Sequence, residues 1–135
     1  PVIPRFIHQA LGGGSLIIFG AGEQTRDFVY VTDVVRALIA ALSIPGDRHE
    51  TINVGSGREV SINDLAGQIL DLTDASSNVI HSPVKSGGVS RLRADLTLAG
   101  DVLGYEPRVT LKQGLQQTLE QDPRYRASLS SKKNL

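Results

Sequence analysis

The sequence predicts a mixed α/β fold in which short strands alternate with helices around an incomplete sheet. Three observations carry this. Apolar residues recur at helical spacing in Ile3, Phe6, Ile7, Ala10 and Leu11, and again in Ile62, Leu65, Ile69 and Leu72. Short runs at 16–19, 28–31, 51–54 and 79–81, rich in β-branched and aromatic residues, lie between the helical segments. Glycine turns and capping signals separate the two kinds of segment. Three or four short strands are too few for a complete doubly wound sheet.

Element by element, the first helix ends at Gly12-Gly13-Gly14, because glycine tolerates the left-handed backbone of a helix C-terminus. The strand at 16–19 runs into a Gly20-Ala21-Gly22 turn, and a second strand is expected at 28–31. Thr32 or Asp33 is the expected N-cap of the next helix, with Val34, Leu38 and Leu42 along one face and Pro45-Gly46-Asp47 as its breaker. A third strand at 51–54 leads into Gly55-Ser56-Gly57. Ser61 with Asp64 reads as a capping-box start, as does Thr110 with Gln113 before Leu111, Leu115 and Leu119. Residues 82–94 read as a loop carrying Lys85, Arg91 and Arg93. A short helix through Leu96, Ala99, Val102 and Leu103 is closed by Gly104. From Asp122 onward the expectation is a polar tail that frays.

Bulk properties exclude several functions. The 135 residues suit one modest core, with 40% hydrophobic and 21% charged residues. Lys plus Arg and Asp plus Glu are 14 each, so there is no basic excess for nucleic acid or an anionic membrane. With no cysteine there is neither a disulfide framework nor a thiolate metal site, and a reducing cytoplasm is expected. No apolar run spans a membrane, and Pro1-Val2-Ile3-Pro4-Arg5 is not the opening of a secretory signal.

Several motifs fail on spacing. Residues 51–57 give strand, then Gly-x-Gly, then helix, but Val60 stands where a third small residue belongs and the helix starts late, at Ser61. A tight turn with Asn53 as a structural hydrogen-bonder is the better reading. Gly20-Ala21-Gly22 fails the same test at Thr25, and no P-loop motif occurs. His8, His49 and His81 are isolated, so no metal site is expected. Tyr30, Tyr105 and Tyr125 are followed four residues later by Val34, Val109 and Leu129, so none begins a Tyr-x-x-x-Lys pair. No Gly-x-Ser-x-Gly elbow exists and carboxylates are not paired, so no catalytic residue is assigned.

Two cationic positions stay open on the residues alone. Arg26, between a glycine turn and an apolar run, can grip a phosphate through two parallel hydrogen bonds or form an ion pair with Asp27 or a neighbour. Arg91 and Arg93, with Asp95 close behind, can offer a cation to a diphosphate and a carboxylate to ribose hydroxyls. They can also be a solvated loop with an N-capping aspartate, and the plainer reading leads in both cases.

Residues 20–33, Gly-Ala-Gly-Glu-Gln-Thr-Arg-Asp-Phe-Val-Tyr-Val-Thr-Asp, resemble the extended short-chain dehydrogenases, in their NAD-dependent nucleotide-sugar epimerase and dehydratase branch. Further segments resemble that family in order: Val2-Ile-Pro-Arg-Phe-Ile7, Leu16-Ile-Ile-Phe-Gly20, residues 51–57, Ser61-Ile-Asn-Asp-Leu65, Arg91-Leu-Arg-Ala-Asp95, Leu103-Gly-Tyr-Glu-Pro107 and Leu111-Lys-Gln-Gly-Leu115. The resemblance, strongest to UDP-glucose 4-epimerases, implies the C-terminal portion of an extended Rossmann-type fold. Residues 1–121 would be the substrate-binding segment and 122–135 the tail.

By position, the resemblance implies that Arg26 contacts the diphosphate or ribose and that Ile17 and Phe19 hold the base. Arg91 would bind the diphosphate and Asp95 would lie near the ribose or be structural. Arginines at both 91 and 93, with Ser90 where the family often has arginine, leave the phosphate ligand open; Asp33 reads as a cap rather than a ligand. NAD, its glycine fingerprint and the Tyr/Lys pair belong to the family's N-terminal Rossmann half. This chain alone is therefore expected to bind no cofactor and to be inactive, with homodimer contacts made by that other half. The alternatives are a 4,6-dehydratase half, a UDP-glucuronate decarboxylase half, or a non-catalytic binding module. If the helix at 32–43 normally covers the other half's sheet, its apolar face should be exposed here.

Overall fold

The computed structural model describes residues 1–46, 49–83 and 88–132, with side chains through residue 129. Lys85 and Asp47, singled out above, lie outside the described residues. The fold is mixed α/β with two small, incomplete sheets. The chain divides into two compact units: residues 1–24, 61–90 and 115–135, and residues 25–60 and 91–114.

The first unit is built on α1 (Val2–Leu11), β1 (Leu16–Phe19), α3 (Ile62–Thr73), β4 (Val79–Ser82) and α6 (Pro123–Lys132). β1 and β4 pair in parallel, with Leu16 opposite Val79 and Phe19 opposite Ser82. Phe6, Ile7 and Ala10 of α1 are buried with Leu16 and Ile18 of β1 and Leu65, Ala66 and Ile69 of α3. The sequence periodicity thus locates this core correctly. Gly13 takes the left-handed backbone after α1, at φ 73°. Ser61 caps α3 as expected, its Oγ accepting from the Asp64 amide at 3.0 Å.

The expected fraying tail is instead the helix α6. Asp122 accepts the Arg124 amide on Oδ1 at 2.9 Å, and Pro123 occupies the first helical position, where its missing N–H costs nothing. Tyr125 is buried, and α6 packs on α1.

The second unit holds α2 (Val31–Leu42), α4 (Thr97–Leu103) and the first turn of α5 (Leu111–Gln121), with the two-residue strand β2 (Thr25–Arg26) paired to β3 (Val60–Ser61). Its core gathers Ala37, Ala99 and Tyr105, with Ile52, Val54, Leu96 and Leu103 packed against them. Gly104 closes α4 in the left-handed conformation, and Thr110 and Gln113 exchange bonds at the start of α5, both as expected.

Three expectations fail in this unit. Residues 28–30 and 51–54 are not in strands; β-branched composition supports a strand only where a neighbouring strand completes the ladder. The N-cap of α2 is Tyr30, which places Asp33 inside the first turn. The buried residues of α2 are Asp33 and Ala37, whereas Leu38 and Leu42 are exposed, as expected of a helix whose apolar face has no cover within this chain.

Candidate functional site

In the first unit, the alternation of β1 buries Leu16 and Ile18 and leaves Ile17 and Phe19 each 39% exposed. The Leu16 amide donates to the Asn78 carbonyl at 2.8 Å and the Gly20 amide to Ser82 at 2.9 Å. The even-numbered residues therefore face β4, and Ile17 and Phe19 turn their backbone polar groups to the opposite edge. At that edge Arg5 Nη2 donates to the Ile17 carbonyl at 3.2 Å and Gln24 Nε2 to the Phe19 carbonyl at 3.1 Å. The Arg5 guanidinium also lies 5.1 Å from the Phe19 ring centroid. The edge thus offers ring surface and N–H groups, its carbonyls being engaged. Neither Arg5 nor Gln24 was singled out for this cluster; Arg5 reaches it from α1, twelve residues away, and Gln24 by folding back across the glycine turn, five residues away.

In the second unit, Asp27 explains the Gly55-Ser56-Gly57 turn. Its Oδ1 accepts the Ser56 amide at 2.7 Å and the Ser56 hydroxyl at 2.6 Å; its Oδ2 accepts the Gly57 amide at 2.9 Å and the Ala94 amide at 3.1 Å. Successive amides aimed at one point form an anion nest, and here the anion is the chain's own carboxylate. A Cβ at Gly55 would stand 2.6 Å from Ala94 Cβ and 2.8 Å from Asp27 Oδ2, so only glycine fits. The turn is therefore closed to a dinucleotide, as its spacing suggested, and the described residues do not fit NAD there. Asp27, rather than Asn53, is the structural hydrogen-bonder.

Arg26 is half-buried and donates from Nη1 to the Thr25 carbonyl at 2.6 Å. Arg91 is exposed at its side chain (76%) yet held: its Nε donates to Glu59 Oε1 at 3.1 Å and its Nη2 to Glu59 Oε2 at 2.5 Å. Thr25 Oγ1 donates to the same Oε1 at 2.9 Å. The bonds from Arg91, then the one from Thr25, lower the Glu59 pKa to about 2, and the same pairing raises that of Arg91. A lowered carboxylate contributes its stabilisation above the unfolded pKa and loses it as pH falls through about 2, so the pair stays charged at neutral pH. Sequence gave no hint of Glu59, whose partner lies 32 residues away.

Asp95 serves its own helix. Its Oδ1 accepts the Thr97 amide at 3.0 Å and the Thr97 hydroxyl at 2.7 Å, which lowers its pKa. The alternative left open for it was the N-cap, but the N-cap of α4 is Leu96, and Asp95 stands one residue before it. His81 Nε2 lies 3.0 Å from Asn63 Oδ1, and among the described residues no group of three His, Cys, Asp or Glu side chains is placed to hold a metal. No helix among them is long and apolar enough to cross a membrane.

Residues 1–55 match the NAD dependent epimerase/dehydratase family. A UDP-N-acetyl-alpha-D-glucosaminuronate decarboxylase of Bacillus cytotoxicus is 38% identical over 125 residues, covering 88% of this chain and 39% of that protein. A putative UDP-glucose 4-epimerase of Methanocaldococcus jannaschii is 38% identical over 118 residues, covering 87% and 37%. The crystal structure of a Thermotoga maritima UDP-glucose 4-epimerase with UDP-glucose superposes with a TM-score of 0.82 at 38% identity, covering 89% of this chain and 38% of that one. A Bacillus cereus UDP-glucuronic acid 4-epimerase, solved with UDP-glucuronic acid and NAD, superposes at 0.81 with 30% identity, covering 97% and 40%. The match to the NAD dependent epimerase/dehydratase family thus covers residues 1–55, and the likeness to the proteins named here covers most of the chain. It spans less than two fifths of the length of the curated relatives named here.

Proposed function

We propose that this chain is the substrate-side, C-terminal segment of an NAD-dependent nucleotide-sugar epimerase, most like UDP-glucose 4-epimerase. Residues 1–121 carry the binding groups and α6 is joined to them. The observation that carries this reading is the likeness, over most of the chain, to an epimerase solved with UDP-glucose. In the first unit, the exposed edge at Ile17 and Phe19 would meet the base. In the second, Arg26 and Arg91 would meet the diphosphate, with Asp95 near the ribose or purely structural. Holding a nucleotide diphosphate remote from the reacting carbon positions the sugar for chemistry done elsewhere. That chemistry, with NAD and a tyrosine base, would come from an N-terminal Rossmann half of the same enzyme, in a homodimer, in the cytoplasm. No tyrosine of this chain has lysine four residues on, so the chain alone would turn nothing over.

A second reading, a UDP-uronate decarboxylase half, is favoured by the equal identity of the Bacillus cytotoxicus decarboxylase. Both readings use the same nucleotide contacts. Calorimetric titration with UDP-glucose, with NAD in parallel, tests them together. Heat on adding UDP-glucose, weakened about tenfold or more in Arg91→Ala and Arg26→Ala, is the expected result. A response to NAD with none to UDP-glucose would overturn the assignment to the substrate side.

A further inference from the structure

We infer that Glu59 is a positioning residue for anion recognition: it grips the Arg91 guanidinium by one edge and so presents the other to a diphosphate. The inference rests on the reading that Arg91 meets the diphosphate, and it adds what makes that arginine competent.

A guanidinium carries five N–H donors in a rigid plane. Glu59 takes the Nε–H and one Nη2–H. Among the described residues the second Nη2–H and both Nη1–H groups have no hydrogen-bond partner, and one from each nitrogen lies on the end of the fork, where a phosphate accepts two parallel bonds. The side chain is 76% exposed, so that end is open to solvent, while Glu59 is only 20% exposed.

The carboxylate is itself fixed. Thr25 of β2 donates to its Oε1 at 2.9 Å, and the next residue, Val60, begins β3, which pairs with β2. Glu59 thus ties an arginine, otherwise on a loop, to a strand pair. An exposed arginine without such a tie samples many rotamers and loses that freedom on binding. With the tie, part of the ordering is complete before the anion arrives.

Charge alone argues the opposite sign. A carboxylate beside Arg91 weakens the field that an anion feels, so if Glu59 merely competed for the guanidinium, its removal would tighten binding. The sign of the effect therefore decides between positioning and competition.

The test is calorimetric titration of the protein with UDP and, separately, with uridine, at low ionic strength and pH 7. Glu59→Ala should weaken UDP about fivefold. Glu59→Gln should fall between, because its amide oxygen still accepts one bond. Uridine, lacking phosphate, should bind all variants alike, and in an Arg91→Ala background Glu59→Ala should cost nothing further. The Arg91 Nε proton, followed by NMR, should keep its bonded signal when UDP is added.

Tighter UDP binding in Glu59→Ala, or loss of the Nε signal on adding UDP, would overturn positioning in favour of competition. An undiminished loss in the Arg91→Ala background would overturn it in favour of a structural tie through Thr25. If Arg91→Ala leaves UDP binding unchanged, the phosphate role of Arg91 falls, and this inference with it; the other three outcomes defeat the inference alone.

Discussion

Asp33 does at one position what several residues usually share. It is fully buried, and its Oδ2 accepts the Arg108 amide at 3.0 Å and the Val109 amide at 3.1 Å, while its Oδ1 accepts from Arg36. It thereby fastens the segment before α5 to the first turn of α2. Its place in that turn also sets its charge against the positive end of the helix dipole. Replacing it with alanine strands two backbone donors and leaves Arg36 without its carboxylate. We expect Asp33→Ala to lose about 3 kcal/mol in denaturant unfolding and Asp33→Asn distinctly less, since an amide oxygen still accepts. Equal losses in the two variants would mean that volume, not hydrogen bonding, is what this site supplies. The expectation that Asp33 is a cap was right in chemistry and wrong in address: it satisfies orphan amides 75 and 76 residues away rather than those of its own helix.

At the scale of elements, local signals were legible and partner-dependent ones were not. The capping pairs Ser61–Asp64 and Thr110–Gln113 and the left-handed Gly104 act within a few residues, so their sequence signature is complete in itself. Strands need a neighbour, and nothing in residues 28–31 or 51–54 announces its absence. The two-residue strands β2 and β3 carry no periodicity at all. The same limit governs the site: Arg26, Arg91 and Asp95 stand out by type, whereas Glu59 and Arg5 become meaningful only through tertiary contacts. α6 was missed because its apolar content is low, although Asp122 before Pro123 is a helix-start signal. Its docking rests on Tyr125, only 6% exposed. Tyr125→Ala should therefore lower stability by about 3 kcal/mol, read as a fall in the urea midpoint with an unchanged slope. A variant indistinguishable from the parent would restore the frayed tail.

At the scale of the molecule, each unit has its own small core, and the second leaves a large apolar surface uncovered. Val31, Val35, Leu38, Ile39 and Leu42 are all exposed, Leu42 at 87%, and their spacing places them on one stripe of α2. Monomeric proteins rarely leave such a contiguous stripe in water. The relatives named above are more than twice as long as this chain; on the reading proposed above, a helix of the substrate side that covers a sheet of the other half would account for the stripe. The chain alone should then bind a hydrophobic dye and self-associate as its concentration rises, both seen by fluorescence and sedimentation. Leu38→Lys combined with Leu42→Glu should suppress both while changing stability by only about 0.5 kcal/mol per site, because neither side chain is part of a core. Addition of the separately expressed N-terminal half should have the same effect on the parent chain and none on the charged variant. A parent chain that stays monomeric and dye-free at high concentration would show that the stripe tolerates water, and the proposal of a covering half would lose its physical basis.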